Sequence, residues 1–150
     1  MPMSMTAQVL LGSCFLTVCT LVHVGLMALC IPLMTRAHKQ FSHSGKVFRS
    51  ALLLSLALMT VLVAHTVQIW TWAFAFQSVE AFDDIATSFY FATVTYTTLG
   101  YGDLTLGEGL QIFATFGAIT GLLTFGISTA FLIAIIGRLL PPEDIGTSRL

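Results

Sequence analysis

The chain has 150 residues, 56% of them hydrophobic and 9% charged, with a formal net charge of -1 and a mean hydropathy of +0.91. Soluble domains carry roughly 25% charged residues, so this composition excludes an ordinary water-soluble fold and leaves a membrane protein of at most one domain. The near-neutral charge gives no sign of a nucleic-acid partner, and none is expected.

Residues 7–34 contain no charged side chain. That run exceeds the roughly 20 residues a helix needs to cross a bilayer. Residues 1–6 hold no Lys or Arg, unlike the basic start of a secretory signal, so a retained helix is expected. Pro32 should kink or end it. Cys14, Cys19 and Cys30 all lie in this run; on one helix they cannot bridge each other and read as small buried thiols. Residues 36–49 form a polar connector with Arg36, His38, Lys39, His43, Lys46 and Arg49. Residues 50–76 are a second charge-free run, closing with Trp70, Trp72, Phe74 and Phe76 in the manner of an interfacial aromatic belt. A loop over 77–84 follows.

Residues 85–96 are apolar and aromatic but too short to span, which suggests a re-entrant helix capped by Asp83 or Asp84. Its C-terminal end would bring partial negative charge into the membrane. Residues 110–137 are the third charge-free run; Arg138 follows, and Pro141 and Pro142 should stop that helix before a short polar tail. All Lys and Arg lie in the connector or after Gly137, whereas 77–109 holds five acids and no basic residue. The positive-inside rule places the connector and C-terminus in the cytoplasm and the N-terminus outside. The expected fold class is thus an all-α membrane protein with three transmembrane helices and a re-entrant helix and loop.

Between the short helix and the third run stands Thr97-Thr98-Leu99-Gly100-Tyr101-Gly102-Asp103. Irregular backbone is expensive in a bilayer unless protein buries it or it lines a watery path. A row of carbonyls facing such a path can replace the hydration shell of a cation. Gly100 and Gly102 permit positive φ and let successive carbonyls turn toward one axis. These residues resemble the filter of the potassium-channel family, Thr-Val-Gly-Tyr-Gly, with Leu99 in place of Val.

The resemblance covers roughly residues 81–140 and implies a pore module of outer helix, pore helix, filter and inner helix. It implies K+ held by carbonyls of Thr98, Leu99, Gly100 and Tyr101, and no organic cofactor. Gly121 stands where family members often carry a hinge glycine, although Gly117 and Gly121 also read as a close-packing pair. Phe125-Gly126 and Thr129-Ala130 match the cavity-lining stretch of the small proton-gated bacterial channel. Leu122, Phe125 and Thr129 recur on one face. Tyr90 and Phe91 replace two tryptophans that brace the filter in many members, and Tyr90 could reach Asp103. Val94 replaces a filter-backing glutamate of the proton-gated channel. One pore loop per chain implies a homotetramer.

The chain divides on this reading into an extra helix with connector (1–49), a pore module (50–140) and a tail (141–150). A potassium-selective channel is expected, multi-pass in the cell membrane and prokaryotic, with membrane lipid as its other partner and no enzymatic activity. The alternatives are a weakly selective cation channel, or a haem protein with His23 and His65 as axial ligands. Counted from the ends of the charge-free runs, those two histidines differ in depth by roughly 10 Å, which argues against a shared iron. His23 is expected to face the second helix near Ser55–Thr60, with the first helix a peripheral brace that leaves the ion path untouched.

Overall fold

The computed structural model describes residues 3–139 and consists of four helices: α1 (Met5–Gln40), α2 (Lys46–Ser78), α3 (Ile85–Tyr96) and α4 (Gln111–Leu139). No strand occurs among the described residues. α1, α2 and α4 are each long and apolar enough to cross a membrane. The expected stop at Pro141 and the tail lie outside the described residues.

Three of the four helices begin on a side-chain cap; α2, preceded by Gly45, has none. Ser4 caps α1 by accepting from the Ala7 amide at 3.3 Å. Asp84, one of the two expected candidates, caps α3 by accepting from the Thr87 amide at 2.9 Å and the Thr87 hydroxyl at 2.7 Å. These bonds favour the ionised carboxylate and lower the Asp84 pKa from its ordinary value. The amides of Ile112 and Phe113, in the first turn of α4, donate to Gln8 Oε1 of α1 at 3.0 and 3.3 Å. A side chain from the first helix thus caps the last one.

Two boundaries differ from expectation. α1 runs through Pro32 to Gln40, so the non-helical connector is only residues 41–45. Proline forfeits a single helix bond, a loss that membrane helices tolerate. The aromatic belt also splits. Trp72 and Phe76 are fully buried, while Trp70 and Phe74, on another face, are exposed. Positions two apart on a helix point in different directions, so only half of that cluster faces outward. Cys19 and Cys30 are buried as expected, but Cys14 is exposed.

The core lies where Trp72 and Phe76 of α2 meet Phe91 of α3 and Phe113 of α4, with ring centroids 5.1 to 5.8 Å apart. α1 packs along both α4 and α2 rather than on α2 alone. Gly12 is what admits it so closely: a β-carbon there would sit 2.3 Å from Cδ2 of Phe116.

Candidate functional site

Residues 97–103 follow directly on α3, and all seven are exposed in the single chain. The turn is built by the helix end itself. The Leu99 amide donates to the Val94 carbonyl at 3.0 Å and the Thr98 amide to the Thr95 carbonyl at 2.9 Å. This is the paired 6→1 and 5→2 closure of a Schellman motif, with Thr98 in the left-handed position that glycine usually fills. Thr98 has φ 59°, Gly100 φ 56° and Gly102 φ 77°. Left-handed residues therefore alternate with ordinary ones along 98–102. The two glycines adopt the conformation that the sequence suggested; Thr98, β-branched and strained there, carried no such signal.

The stretch is tied down at both ends. Thr97 Oγ1 donates to the Thr93 carbonyl at 2.8 Å. Tyr90 reaches Asp103, its hydroxyl donating to Oδ2 at 2.6 Å. Behind it, Tyr96 closes α3 with no exposed surface. The Tyr96 carbonyl occupies the space beside Gly121, where a β-carbon would fall 1.8 Å from the oxygen. Gly117 faces Thr95 and Trp72, whose nearest atoms lie 3.4 and 3.5 Å from such a β-carbon. Both glycines are contact positions between helices.

Leu122, Phe125 and Thr129 are exposed along α4, and so is Leu123. Packing within one chain therefore leaves both faces open. Phe125 stacks on His65 at 4.3 Å and lies 5.8 Å from the Tyr96 ring.

The histidines are placed differently from the sequence reading. Their ring centroids lie 5.1 Å apart, too close for the expected depth offset of roughly 10 Å. α1 and α2 extend past the charge-free runs and turn within five residues, which sets position 23 level with position 65. His23 bonds through Nε2 to Ser128 of α4 at 2.9 Å, not to the 55–60 region of α2. Thr60 donates instead to Cys30 Sγ at 3.3 Å. His65 Nε2 reaches the same Ser128 hydroxyl at 3.1 Å, and its Nδ1 reaches the Tyr96 hydroxyl at 2.8 Å. Axial ligation of one iron needs two nitrogens facing each other across the metal. Here both Nε2 atoms converge on one hydroxyl oxygen. No group of three or more His, Cys, Asp or Glu able to hold a metal occurs among the described residues.

Three long apolar helices, with a short helix and an anchored polar turn between the second and third, define a membrane protein of the channel type. Residues 57–138 match the model of the ion channel family, and the chain belongs to that family. That match spans α3, the 97–103 turn and nearly all of α4. Curated proteins gave no match, and neither did solved structures.

Proposed function

We propose that the chain forms a potassium-selective channel, four copies surrounding an axis lined by residues 97–103. The observation that carries this is the alternation of left-handed residues at 98, 100 and 102. It suits a chain that turns successive carbonyls to one side, where they replace the water around a cation of K+ size. Thr98, Leu99, Gly100 and Tyr101 would supply the carbonyls, and the Thr98 hydroxyl one oxygen more. The exposure of Leu99 and Tyr101, 54% and 67% in the single chain, fits residues that a neighbouring copy covers. Beside the turn, an open groove of about 350 Å³ includes Val94, Thr98, Ala114 and Ala118 and offers that neighbour an apolar seat.

Orientation follows the charges. His38, Lys39 and Arg138 share one groove between the ends of α1, α2 and α4 with apolar Ile31, Met34 and Leu53. That end suits the cytoplasmic surface. The acids of 77–109 would lie at the outer mouth and concentrate cations there. Leu122, Phe125 and Thr129 would line the cavity below the filter.

Gly100→Ala tests the reading. A β-carbon at φ 56° is strained, so this variant should lose selective K+ current while the wild type carries it. The wild-type particle in detergent should have the mass of four chains. A monomeric or dimeric wild type, or a Gly100→Ala variant as selective as the wild type, would refute it.

A further inference from the structure

One line of side chains under the candidate filter draws on all four helices: His23 of α1, Ser128 of α4, His65 of α2, Tyr96 of α3 and Thr124 of α4. Each is at most 9% exposed. Consecutive members are joined at 2.9, 3.1, 2.8 and 2.7 Å.

Counting protons gives the line a direction. The Thr124 hydroxyl donates to the Thr120 carbonyl at 2.8 Å. Its single proton is then spent, so Tyr96 donates to Thr124. Tyr96 must in turn accept from Nδ1–H of His65. A neutral His65 then presents a bare Nε2, to which Ser128 donates, and Ser128 accepts from Nε2–H of His23. The line ends at Nδ1 of His23, which has no partner among the described residues. In this direction that atom is a lone pair, whereas the reverse direction would turn the Thr124 proton toward Tyr96 and leave the Thr124 hydroxyl oxygen and the Thr120 carbonyl, two acceptors, facing each other at 2.8 Å. No Asp, Glu, Lys or Arg occurs in 7–34, 50–76, 85–96 or 110–137, so no charged group there can substitute for a missing link.

We infer that His23, Ser128 and His65 are positioning residues for permeation, acting through Tyr96; this rests on the potassium-channel reading above. Tyr96 is the last residue of α3, and Thr97 begins the expected filter. Fixing the Tyr96 hydroxyl below and its carbonyl against Gly121 leaves the helix end a single position from which the 97–102 turn departs. The first helix is thereby a working part of the filter's support and not a brace set apart from the ion path. His65 also holds the Phe125 ring by stacking.

The test is single-channel recording of purified protein in planar bilayers, with K+ on one side and Na+ on the other, for wild type, S128A, S128T and Y96F. S128A breaks the Ser128 bonds to both histidines, and Y96F breaks the Tyr96 bonds to His65 and Thr124; each should lower the K+-over-Na+ permeability ratio about tenfold. S128T keeps the hydroxyl and should keep the wild-type ratio. The S128A/Y96F double variant should be no worse than either single one, because either change already uncouples Tyr96 from Ser128. Only assembled channels are recorded, so poor folding lowers the yield and not the ratio; should S128A give no channels, Y96F decides. Wild-type ratios in S128A and Y96F, or a loss that S128T shares, would overturn the inference alone. An unselective wild type would overturn the potassium reading and this inference with it. Imidazole 15N shifts add a readout that needs no current. The proton should be on Nδ1 of His65 and Nε2 of His23, and the opposite tautomers would contradict the chain.

Discussion

The backbone carbonyl of Tyr96 fills the space beside Gly121 that any other residue's β-carbon would need, 1.8 Å from that position. Two helices meet there backbone to backbone, the end of α3 against the middle of α4. A hinge role for Gly121 is not needed to explain the glycine. Gly121→Ala should force the two elements apart and destabilise the protein by about 3 kcal/mol, the upper end for an overpacked site. Gly117→Ala, whose β-carbon would meet its nearest neighbours at 3.4 and 3.5 Å, should cost far less. Thermal unfolding of the two variants in detergent checks the order.

Thr98 holds a left-handed conformation at φ 59° in a position that favours glycine. Thr98→Gly should therefore raise stability in K+-free detergent by about 1 kcal/mol. It should also lose much of the extra stability that added K+ gives the wild type, because a proposed ligand hydroxyl is gone. Unfolding curves with and without K+ separate the two effects. Lower stability of the variant without K+ would show that Thr98 is not strained.

Gln8 is the only cap that joins two long helices among the described hydrogen bonds. Gln8→Leu leaves the Ile112 and Phe113 amides without their acceptor and should cost about 1–2 kcal/mol. Hydrogen exchange should show those two amides losing protection while the middle of α4 keeps it. Unchanged exchange at both would contradict the cap.

Asp84 titrates outside the spanning helices, with its pKa lowered by the hydrogen bonds to Thr87. A folded pKa below the unfolded one means that the ionised group adds stability above the ordinary Asp value of about 3.9. That contribution is lost as pH falls through the folded value. Asp84→Asn retains a capping oxygen but cannot ionise. The wild type should exceed it in thermal stability at about pH 6, and the gap should close on acidification below the ordinary Asp value. A gap that widens in acid would reverse the sign.

Helix existence was legible because charge-free runs of this length admit few other structures. α3 was legible to its ends, since Asp84 is a strong cap and the apolar run gives way at Thr97 to a polar stretch. Register between helices was not. Arg36 to Gln40 and Lys46 to Arg49 look like loop by composition but are helical turns, and counting depth from Met34 and Ser50 misplaced His23 against His65. Gln8 and Gly12 gave no local sign of their role, because each acts on a residue more than 100 positions away. The left-handed backbone of Thr98 has no local sign either, because it is imposed by the closure of α3 onto Val94 and Thr95.

Selective permeation of K+ is the central claim, and one measurement addresses it most directly: the reversal potential of purified wild-type protein in planar bilayers under a K+/Na+ gradient. The result expected is a reversal potential close to the K+ equilibrium value, carried by backbone carbonyls of Thr98 to Tyr101. A reversal potential near zero, with Na+ and K+ passing equally, would contradict it.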